Sequence, residues 1–244
     1  WLVRINYALG FRAPNLSELT SNGLHAGRFE RGNPDLGPQR SGELDFSMHV
    51  HTDHLSFDLA LFYNNIKDYI YLSPTNDTAP VGGSSVYLYE QTNARLYGLE
   101  AGIHYHPAGM DWLHLKSSFS NVTGERSDGA YLPLIPASKL INEVRFSFEK
   151  AGPFRNFFIN VQIQSVLKQD RPATFESKTP AYNLLNAGIG AQLDWTRQKL
   201  EMGINVNNLL DETYVDHLSS LKPMGIYNPG RNINIYLHIP FKLK

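Results

Sequence analysis

Histidines are the side chains of this 244-residue chain whose spacing most directly suggests chemistry. His49 and His51 form one pair two residues apart, and His104 and His106 form another. Residues i and i+2 of a β-strand lie on the same face, so each pair places two imidazoles side by side. His114 follows the turn after the second pair, and strand pairing would bring it beside His104. Because the chain contains no cysteine, imidazole and carboxylate are its available metal ligands, and the spacing predicts a zinc site.

A second group of candidate residues lies in the long polar segment from Phe11 to Arg40. Pro14 and Pro34 push the residues before them out of helical backbone space, and four glycines permit positive φ. We therefore predict a loop that no regular element crosses, and a loop of this length is commonly functional. The candidate ligand-binding residues of the loop are His25, Arg28, Glu30 and Asp35. The histidine and the two carboxylates among them would also suit a captured metal ion.

The ends of this segment carry recognisable motifs. FRAPNLSEL (11–19) followed by GNPDL (32–36) resembles the paired signature of TonB-dependent outer-membrane receptors. NARLYGLEAG (93–102) is similar to the Arg-x-x-Gly-x-Glu strand of that family. VNNLLDETY (206–214) and PGRNINIYL (229–237) are similar to the end of such barrels. The four motifs occur in the family's order and cover almost the whole chain, so the chain is identified by resemblance as a member.

Five residues of the first two motifs match the family position by position, while Gln39 stands where the family usually has Glu. They are Arg12, Pro14, Glu18, Asn33 and Pro34. We interpret them as structural residues. A pair formed by Arg12 and Glu18 would brace the base of the loop, and Asn33 with Pro34 would fix a turn.

Alternation of apolar and polar residues predicts the elements that position these side chains. The period of two recurs in ten segments, which indicates ten antiparallel strands. Long loops are expected at 11–40, 73–85, 124–137, 172–180 and 211–229, and short turns at 52–54, 107–110, 152–155 and 196–199. The last strand is expected over Ile233 to Leu243. Long loops alternating with short turns are typical of an all-β, antiparallel transmembrane β-barrel, with long outer loops and short periplasmic turns.

The polar residues of these strands indicate a wet interior, since each would need a buried partner in a packed sandwich. They include Asn160, Gln162, Gln164, Asn186, Gln192, Asn205, Asn207, Asn232 and Asn234. Aromatic residues near the expected strand ends would form membrane-interface girdles. These are Trp112, Trp195, Tyr69, Tyr71 and Tyr236.

Composition argues against a soluble domain, a nucleic-acid-binding protein and a helical membrane protein. Charged residues make up 18% of the chain, below the roughly 25% typical of soluble domains. The net charge of −1 gives no footprint for nucleic acid. The mean hydropathy is −0.32, and no apolar run approaches the roughly 18 residues of a membrane-spanning helix.

The resemblance implies a location in the outer membrane of a Gram-negative bacterium. It implies that residues 1–244 are the C-terminal portion of a larger barrel of about 22 strands. A signal peptide, a plug domain and an energy-coupling box would precede them. The implied function is import of a scarce extracellular ligand, such as a siderophore, metal ion, vitamin or glycan, driven by the TonB complex. The implied partners are outer-membrane lipid, the plug domain, the TonB complex and the small ligand, and no cofactor other than the zinc ion is expected.

Two other functions remain open at this stage. A complete ten-stranded outer-membrane barrel could be an enzyme, but the sequence shows no Ser–His pairing or nucleophile elbow, so we predict that the protein is not an enzyme. A passive porin or adhesin is the other alternative. For the histidine pairs, the alternative to zinc is a set of polar contacts between the barrel wall and a plug domain.

Overall fold

The computed structural model describes residues 1–25, 27–79, 83–195 and 198–239. Its strands are β1 (Leu2–Arg12), β2 (Asn22–His25), β3 (Arg28–Arg31), β4 (Gln39–His51), β5 (Leu55–Thr78), β6 (Ser85–Tyr105), β7 (Leu113–Arg126), β8 (Lys139–Ala151), β9 (Phe154–Val166), β10 (Tyr182–Trp195), β11 (Gln198–Asn207) and β12 (Asn232–His238). A short helix, α1, spans Leu16–Thr20, and a 3-10 turn spans Lys222–Met224. No helix in these ranges is long and apolar enough to cross a membrane.

Ten of the strands form one antiparallel meander in the order β1-β4-β5-β6-β7-β8-β9-β10-β11-β12. The two remaining strands, β2 and β3, pair with each other, and β3 also pairs in parallel with the start of β6. Within the described ranges, β1 and β12 each have one strand neighbour, so the sheet is open. The prediction of an all-β fold with ten principal antiparallel strands is confirmed.

The two faces of the sheet differ in polarity, as the alternation predicts. One face exposes apolar side chains, among them Ile5 at 73%, Leu9 at 76% and Ile235 at 77% exposure. A continuous exposed apolar face of this kind suits contact with lipid. On the other face, which we call the polar face, Asn186 donates a hydrogen bond to Gln162 at 3.0 Å. Polar side chains of neighbouring strands therefore meet on that face.

Two small apolar clusters lie near the long loops. One contains Ala94, Leu132 and Ile135, and the other contains Val166, Tyr182 and Leu184. Both involve residues next to the connections 127–138 and 167–181. They hold the loops against the strand ends.

The hairpin formed by β5 and β6 is longer than predicted. These strands contain 24 and 21 residues, so most of the predicted loop 73–85 is strand. Register shifts between Ile66 and Tyr69 and between Pro74 and Thr78 absorb the residues that fit a regular ladder poorly. A strand needs only about 9–11 residues to cross the hydrocarbon layer, so this hairpin extends well beyond it.

Other boundaries also differ from the sequence prediction. No element crosses the whole Phe11 to Arg40 segment, as predicted, but the segment contains α1, β2 and β3. Residues 196–197 of the predicted turn and 240–244 of the predicted last strand lie outside the described residues. The predicted loops at 124–137 and 172–180 correspond to connections at 127–138 and 167–181.

Three of the predicted girdle aromatics are wrong. Tyr71 is 6% exposed and hydrogen-bonds Glu90, and Tyr69 packs against the apolar cluster around Leu132. Tyr236 alternates with Ile235 and Leu237 along β12, so it lies on the polar face, where it pairs with Gly203. A Cβ on that glycine would lie 2.5 Å from the tyrosine ring, so the glycine provides the space that the ring fills.

Candidate functional site

The base of the long loop is fixed by an ion pair between two residues of the first motif. Arg12, the last residue of β1, donates to both carboxylate oxygens of Glu18 at 2.9 and 2.7 Å. Glu18 also accepts from the backbone amide of Asn15, whose side chain accepts from the amide of Glu18, both at 2.8 Å. This reciprocal capping box starts α1, and the half-buried Pro14 precedes it. The carboxylate of Glu18 therefore joins the strand end to the helix start.

The second motif turns the chain and attaches it to the sheet. The side chain of Asn33 donates to the carbonyl of Tyr89 at 3.2 Å and accepts from the amide of Asp35 at 3.0 Å. Pro34 lies between them in the turn and is exposed. Gly32 packs so closely on α1 that a Cβ would lie 2.5 Å from backbone atoms of Leu19 and Thr20. The motif therefore works by fixing the backbone.

Gln91 and Gln39 add further anchors. The side chain of Gln91 accepts from the amide of Gly37 at 2.8 Å and donates to its carbonyl at 2.7 Å. Gln39 accepts from Arg12 at 3.3 Å and from the amide of Ile70 at 3.2 Å. The glutamine that departs from the family pattern still provides an oxygen acceptor for the arginine.

Three of the four candidate ligand-binding residues come together around a buried carboxylate. Glu30, 6% exposed, accepts from Arg28 Nε at 2.8 Å, lies 3.2 Å from His25 Nδ1, and accepts from Tyr89 Oη at 3.1 Å. Burial by itself would raise the pKa of Glu30, but the hydrogen bonds from these three residues outweigh it and the pKa lies below its usual value. Asp35 lies apart in the turn at Asn33, and it is exposed.

The outer side of this cluster is cationic and aromatic. The guanidinium of Arg28 lies 5.6 Å from the ring centre of Tyr87, and that ring meets Phe175 edge to face at 5.8 Å. The side chains of Arg28 and His25 remain 41% and 74% exposed. We name Arg28, His25, Tyr87 and Phe175 the loop patch. It combines positive charge with ring surfaces, which suits an anionic ligand that contains rings.

His49 and His51 do not converge on one point. Their rings stack at 6.2 Å, but His49 Nδ1 lies 2.6 Å from Asp58 and His51 Nδ1 lies 2.7 Å from the hydroxyl of Ser56. The Nδ1 atom of each ring therefore contacts its own partner on β5. The two rings share one face of β4, as predicted, and their partners are a carboxylate and a hydroxyl group.

The second group of histidines does converge. His104 Nε2 lies 3.1 Å from His114 Nδ1, and the ring centres of His104 and His106 are 5.8 Å apart. His54, from the turn between β4 and β5, meets His106 edge to face at 5.5 Å. Nothing in the local spacing of the sequence singles out His54. As placed, no three His, Asp or Glu side chains of the described residues already have the arrangement of a metal site.

A further cluster, also missed by the sequence reasoning, joins two long loops. His217 is 6% exposed, and its Nδ1 lies 2.8 Å from the hydroxyl of Thr179 and 3.0 Å from Lys222 Nζ. Its Nε2 lies 3.7 Å from Glu176. Burial lowers the pKa of His217, and the ammonium of Lys222 lowers it further. Thr179 is itself 3% exposed, so this hydroxyl, imidazole and carboxylate make an internal contact between loops rather than a site open to a substrate.

The motif at the end of the chain, VNNLLDETY (206–214) with PGRNINIYL (229–237), also fixes the backbone of a loop. Asp211 has a backbone φ of 58°. Its carboxylate accepts a hydrogen bond from the amide of Arg231 at 2.7 Å. A Cβ at Gly230 would lie 2.5 Å from that same carboxylate. The carboxylate thus closes the loop between β11 and β12 at its base, as we expect for a carboxylate next to free amides.

Comparison with known proteins now decides the family. Residues 1–209 match the model of the TonB dependent receptor-like β-barrel. The chain belongs to this family. Barrels of TonB-dependent receptors lie in the outer membrane of Gram-negative bacteria, and the exposed apolar face of this sheet fits that location.

Similar curated proteins are iron-related. The chain is 26% identical to the heme/hemopexin utilization protein C of Haemophilus influenzae, over 94% of this chain and 34% of that protein. It is 25% identical to the iron-regulated outer membrane virulence protein of Vibrio cholerae, over 78% of this chain and 30% of that protein. The chain therefore spans about a third of the length of the curated relatives it matches.

Solved structures of TonB-dependent receptors share the fold. The copper transporter OprC superposes with a TM-score of 0.78 and 20% identity, covering 97% of this chain and 36% of that one. The siderophore receptor PirA from Acinetobacter baumannii superposes with a TM-score of 0.64 and 17% identity, covering 97% and 38%. At these identities the comparison concerns the barrel fold alone.

Proposed function

We propose that this chain is the C-terminal part of the barrel of an outer-membrane receptor that imports a scarce extracellular ligand with energy from the TonB complex. The family match over residues 1–209 supports the receptor class. The relatives that match in sequence are named for heme, hemopexin and iron regulation. We take the ligand to be an iron-carrying compound.

The loop patch is the observation from which we infer the chemical class of the ligand. Arg28 is held by Glu30 and lies against Tyr87, so its guanidinium is fixed with one side still exposed. A fixed guanidinium pairs well with carboxylate or catecholate oxygens, and neighbouring rings stack on aromatic groups. Haem and aromatic siderophores both present negative oxygens beside rings. The patch therefore suits an anionic iron compound that contains rings.

The polar face has a different role from the loop patch. It carries a depression of about 640 Å³ whose lining includes Arg4, His49, Asp58, Glu100 and Lys139. Charges of both signs, partly unpaired, suit contact with another polar protein surface through salt bridges and water. We assign this face to the N-terminal plug domain that the family implies.

An uptake assay tests the function. The full-length receptor containing this chain is expressed in a strain that lacks its own iron receptors, with and without TonB, and radiolabelled iron is supplied as haem or as a ferric catecholate. Uptake of one of these that requires TonB is the expected result. Uptake that is independent of TonB would favour a passive pore, and no uptake of either compound would refute the iron assignment.

Variants of the loop patch test the ligand class separately. Arg28→Ala removes the exposed guanidinium, and a charged contact at a binding site is commonly worth about 1–2 kcal/mol, or roughly 5- to 30-fold in affinity. Arg31→Ala is the matched control, because Arg31 lies on the same strand and its ion pair with Asp77 is long at 3.8 Å. Equal affinity of the two variants for the imported compound would remove the loop patch from the binding site.

A further inference from the structure

Four histidines gather at the end of the sheet where its short turns lie. His54 comes from the turn between β4 and β5, and His104 from the end of β6. His106 follows β6 directly, and His114 lies at the start of β7. The ring centres of the last three are separated by 5.3, 5.8 and 6.1 Å, and His54 lies 5.5 Å from His106. We name these four residues the histidine cluster.

The separations among His104, His106 and His114 are close to those of imidazoles that share one metal ion. Three rings bound to one tetrahedral zinc through nitrogens at about 2.0–2.1 Å have ring centres roughly 5 Å apart and nitrogens roughly 3.3 Å apart. His104 Nε2 and His114 Nδ1 are already 3.1 Å apart. His106 needs only to turn its ring towards this pair, and the terminal torsion of a histidine is soft.

The backbone around the histidine cluster is already fixed. The amide of His106 donates to the carbonyl of His54 at 3.0 Å, which ties the two short turns together. Pairing of Tyr105 with Leu115 sets β6 against β7 beside His104 and His114. The turns and strand ends that carry the histidine cluster are therefore held together by the backbone, and the rings would reach one ion by side-chain rotation.

The surroundings admit a cation. His104 borders a depression of about 350 Å³ on the polar face, which gives an ion a route to its ring. The nearby ammonium of Lys116 is offset by Glu143, whose carboxylate lies 3.8 Å away. A ligand set made of imidazoles suits zinc and its neighbours in the first transition row, and does not suit magnesium or calcium.

We propose that His104, His106 and His114 bind one Zn²⁺ ion, with His54 as the fourth ligand. The ion joins the turn between β4 and β5 to the turn between β6 and β7. This site lies at the end of the sheet opposite to the loop patch. It is independent of the transported ligand.

Zinc titration of the purified full-length receptor tests the proposal. The wild type is compared by calorimetry with His104→Gln, His114→Gln and with the control His49→Gln, His51→Gln. The control removes the same number of imidazoles from the same face of the sheet, on β4. We expect the first variant to lose one zinc equivalent or to bind it roughly 100-fold more weakly, with the control unchanged.

A spectroscopic measurement distinguishes loss of the metal site from a folding defect. Co²⁺ in a tetrahedral imidazole site absorbs visible light, and that absorption is expected in the wild type and the control. His54→Gln alone should weaken binding less than the double variant, since three ligands remain. Equal zinc stoichiometry and affinity in the wild type and the His104, His114 variant would overturn the site and leave these histidines as contacts for the plug domain.

Discussion

Arg12 holds both carboxylate oxygens of Glu18, at 2.9 and 2.7 Å, while the same carboxylate caps the first turn of α1. The guanidinium is partly exposed, but the side chain of Glu18 is only 11% exposed. A charged group that is this buried costs free energy when its partner is removed. The pair therefore links the end of a membrane strand to the start of the loop that carries the loop patch.

Removing the arginine is expected to loosen this loop. In Arg12→Ala, loss of a charged hydrogen bond worth about 1.5–3 kcal/mol should lower hydrogen-exchange protection of residues 16–36 by roughly 10- to 100-fold. Arg4→Ala, on the same face of the same strand, is the control. Unchanged protection in the Arg12 variant would show that the capping box holds the loop without the ion pair.

Gly32 should tolerate no side chain. A Cβ there would lie 2.5 Å from backbone atoms of Leu19 and Thr20, which are fixed by α1. Gly32→Ala should therefore destabilise the loop by about 1–3 kcal/mol, seen as faster proteolysis within residues 13–38 of the receptor. Gly23→Ala is the control, since a Cβ at Gly23 meets nothing within 4 Å. Equal proteolysis rates in the two variants would contradict the close packing.

Tyr236 and Gly203 should behave as a coupled pair. Gly203→Ala alone would drive a methyl group into the ring, and we expect a loss of about 1–3 kcal/mol in the free energy of unfolding. In the double variant Gly203→Ala, Tyr236→Ala the clash is gone, so the two effects should not add. Denaturant unfolding of the receptor in detergent measures the cycle. Gly102→Ala, where a Cβ has open space, is the control, and additive effects would argue against the contact.

The contact between loops 167–181 and 208–231 should weaken in acid. Lys222 Nζ can only donate and lies 3.0 Å from His217 Nδ1, so this nitrogen accepts and the ring is neutral. The hydroxyl of Thr179 lies 2.8 Å from the same nitrogen, and Glu176 and Asp216 are the nearby acids. Since the folded pKa of His217 lies below the unfolded value near 6.5, the stabilisation is complete above about pH 6.5 and is lost as the pH falls.

Hydrogen exchange corrected for intrinsic rates checks this pH dependence. Protection of the two loops should fall roughly tenfold from about pH 7.5 to about pH 5.5 in the wild type. His217→Gln should show little change over the same range. A wild type whose loop protection does not depend on pH would mean that Glu176 compensates the added charge.

The sidedness of the loops follows from the strand order. Single cysteines introduced into the full-length receptor at His25, Thr78, Asp128, Glu176 or Leu221 should react with an impermeant maleimide on intact cells. Cysteines at Asp53, Gly109 or Gln198 should react only after the outer membrane is opened, because antiparallel strands reverse direction at each turn. Labelling at Gly109 but not at Asp128 would invert the topology.

Much of this structure was predictable because its signals are local. Alternation with a period of two depends only on neighbouring residues, so ten strands and their two faces follow from the sequence. Arg12 and Glu18 are six residues apart, and the turn at Asn33 forms within its own segment. Even the approach of His114 to His104 follows from one short turn.

What the sequence left undetermined depends on contacts between distant segments. His217 meets Thr179 across 38 residues, and Asn33 meets Tyr89 across 56, and no local pattern marks either pair. The length of the β5–β6 hairpin was missed because a register shift lets the strand continue through Pro74, which the sequence analysis placed in a loop. His54 joins the histidine cluster only because β5 pairs with β6 in a register that the two strands set together. Sequence alone determined the strands and their faces, whereas register and loop packing, which are properties of the folded chain, decided which side chains share a site.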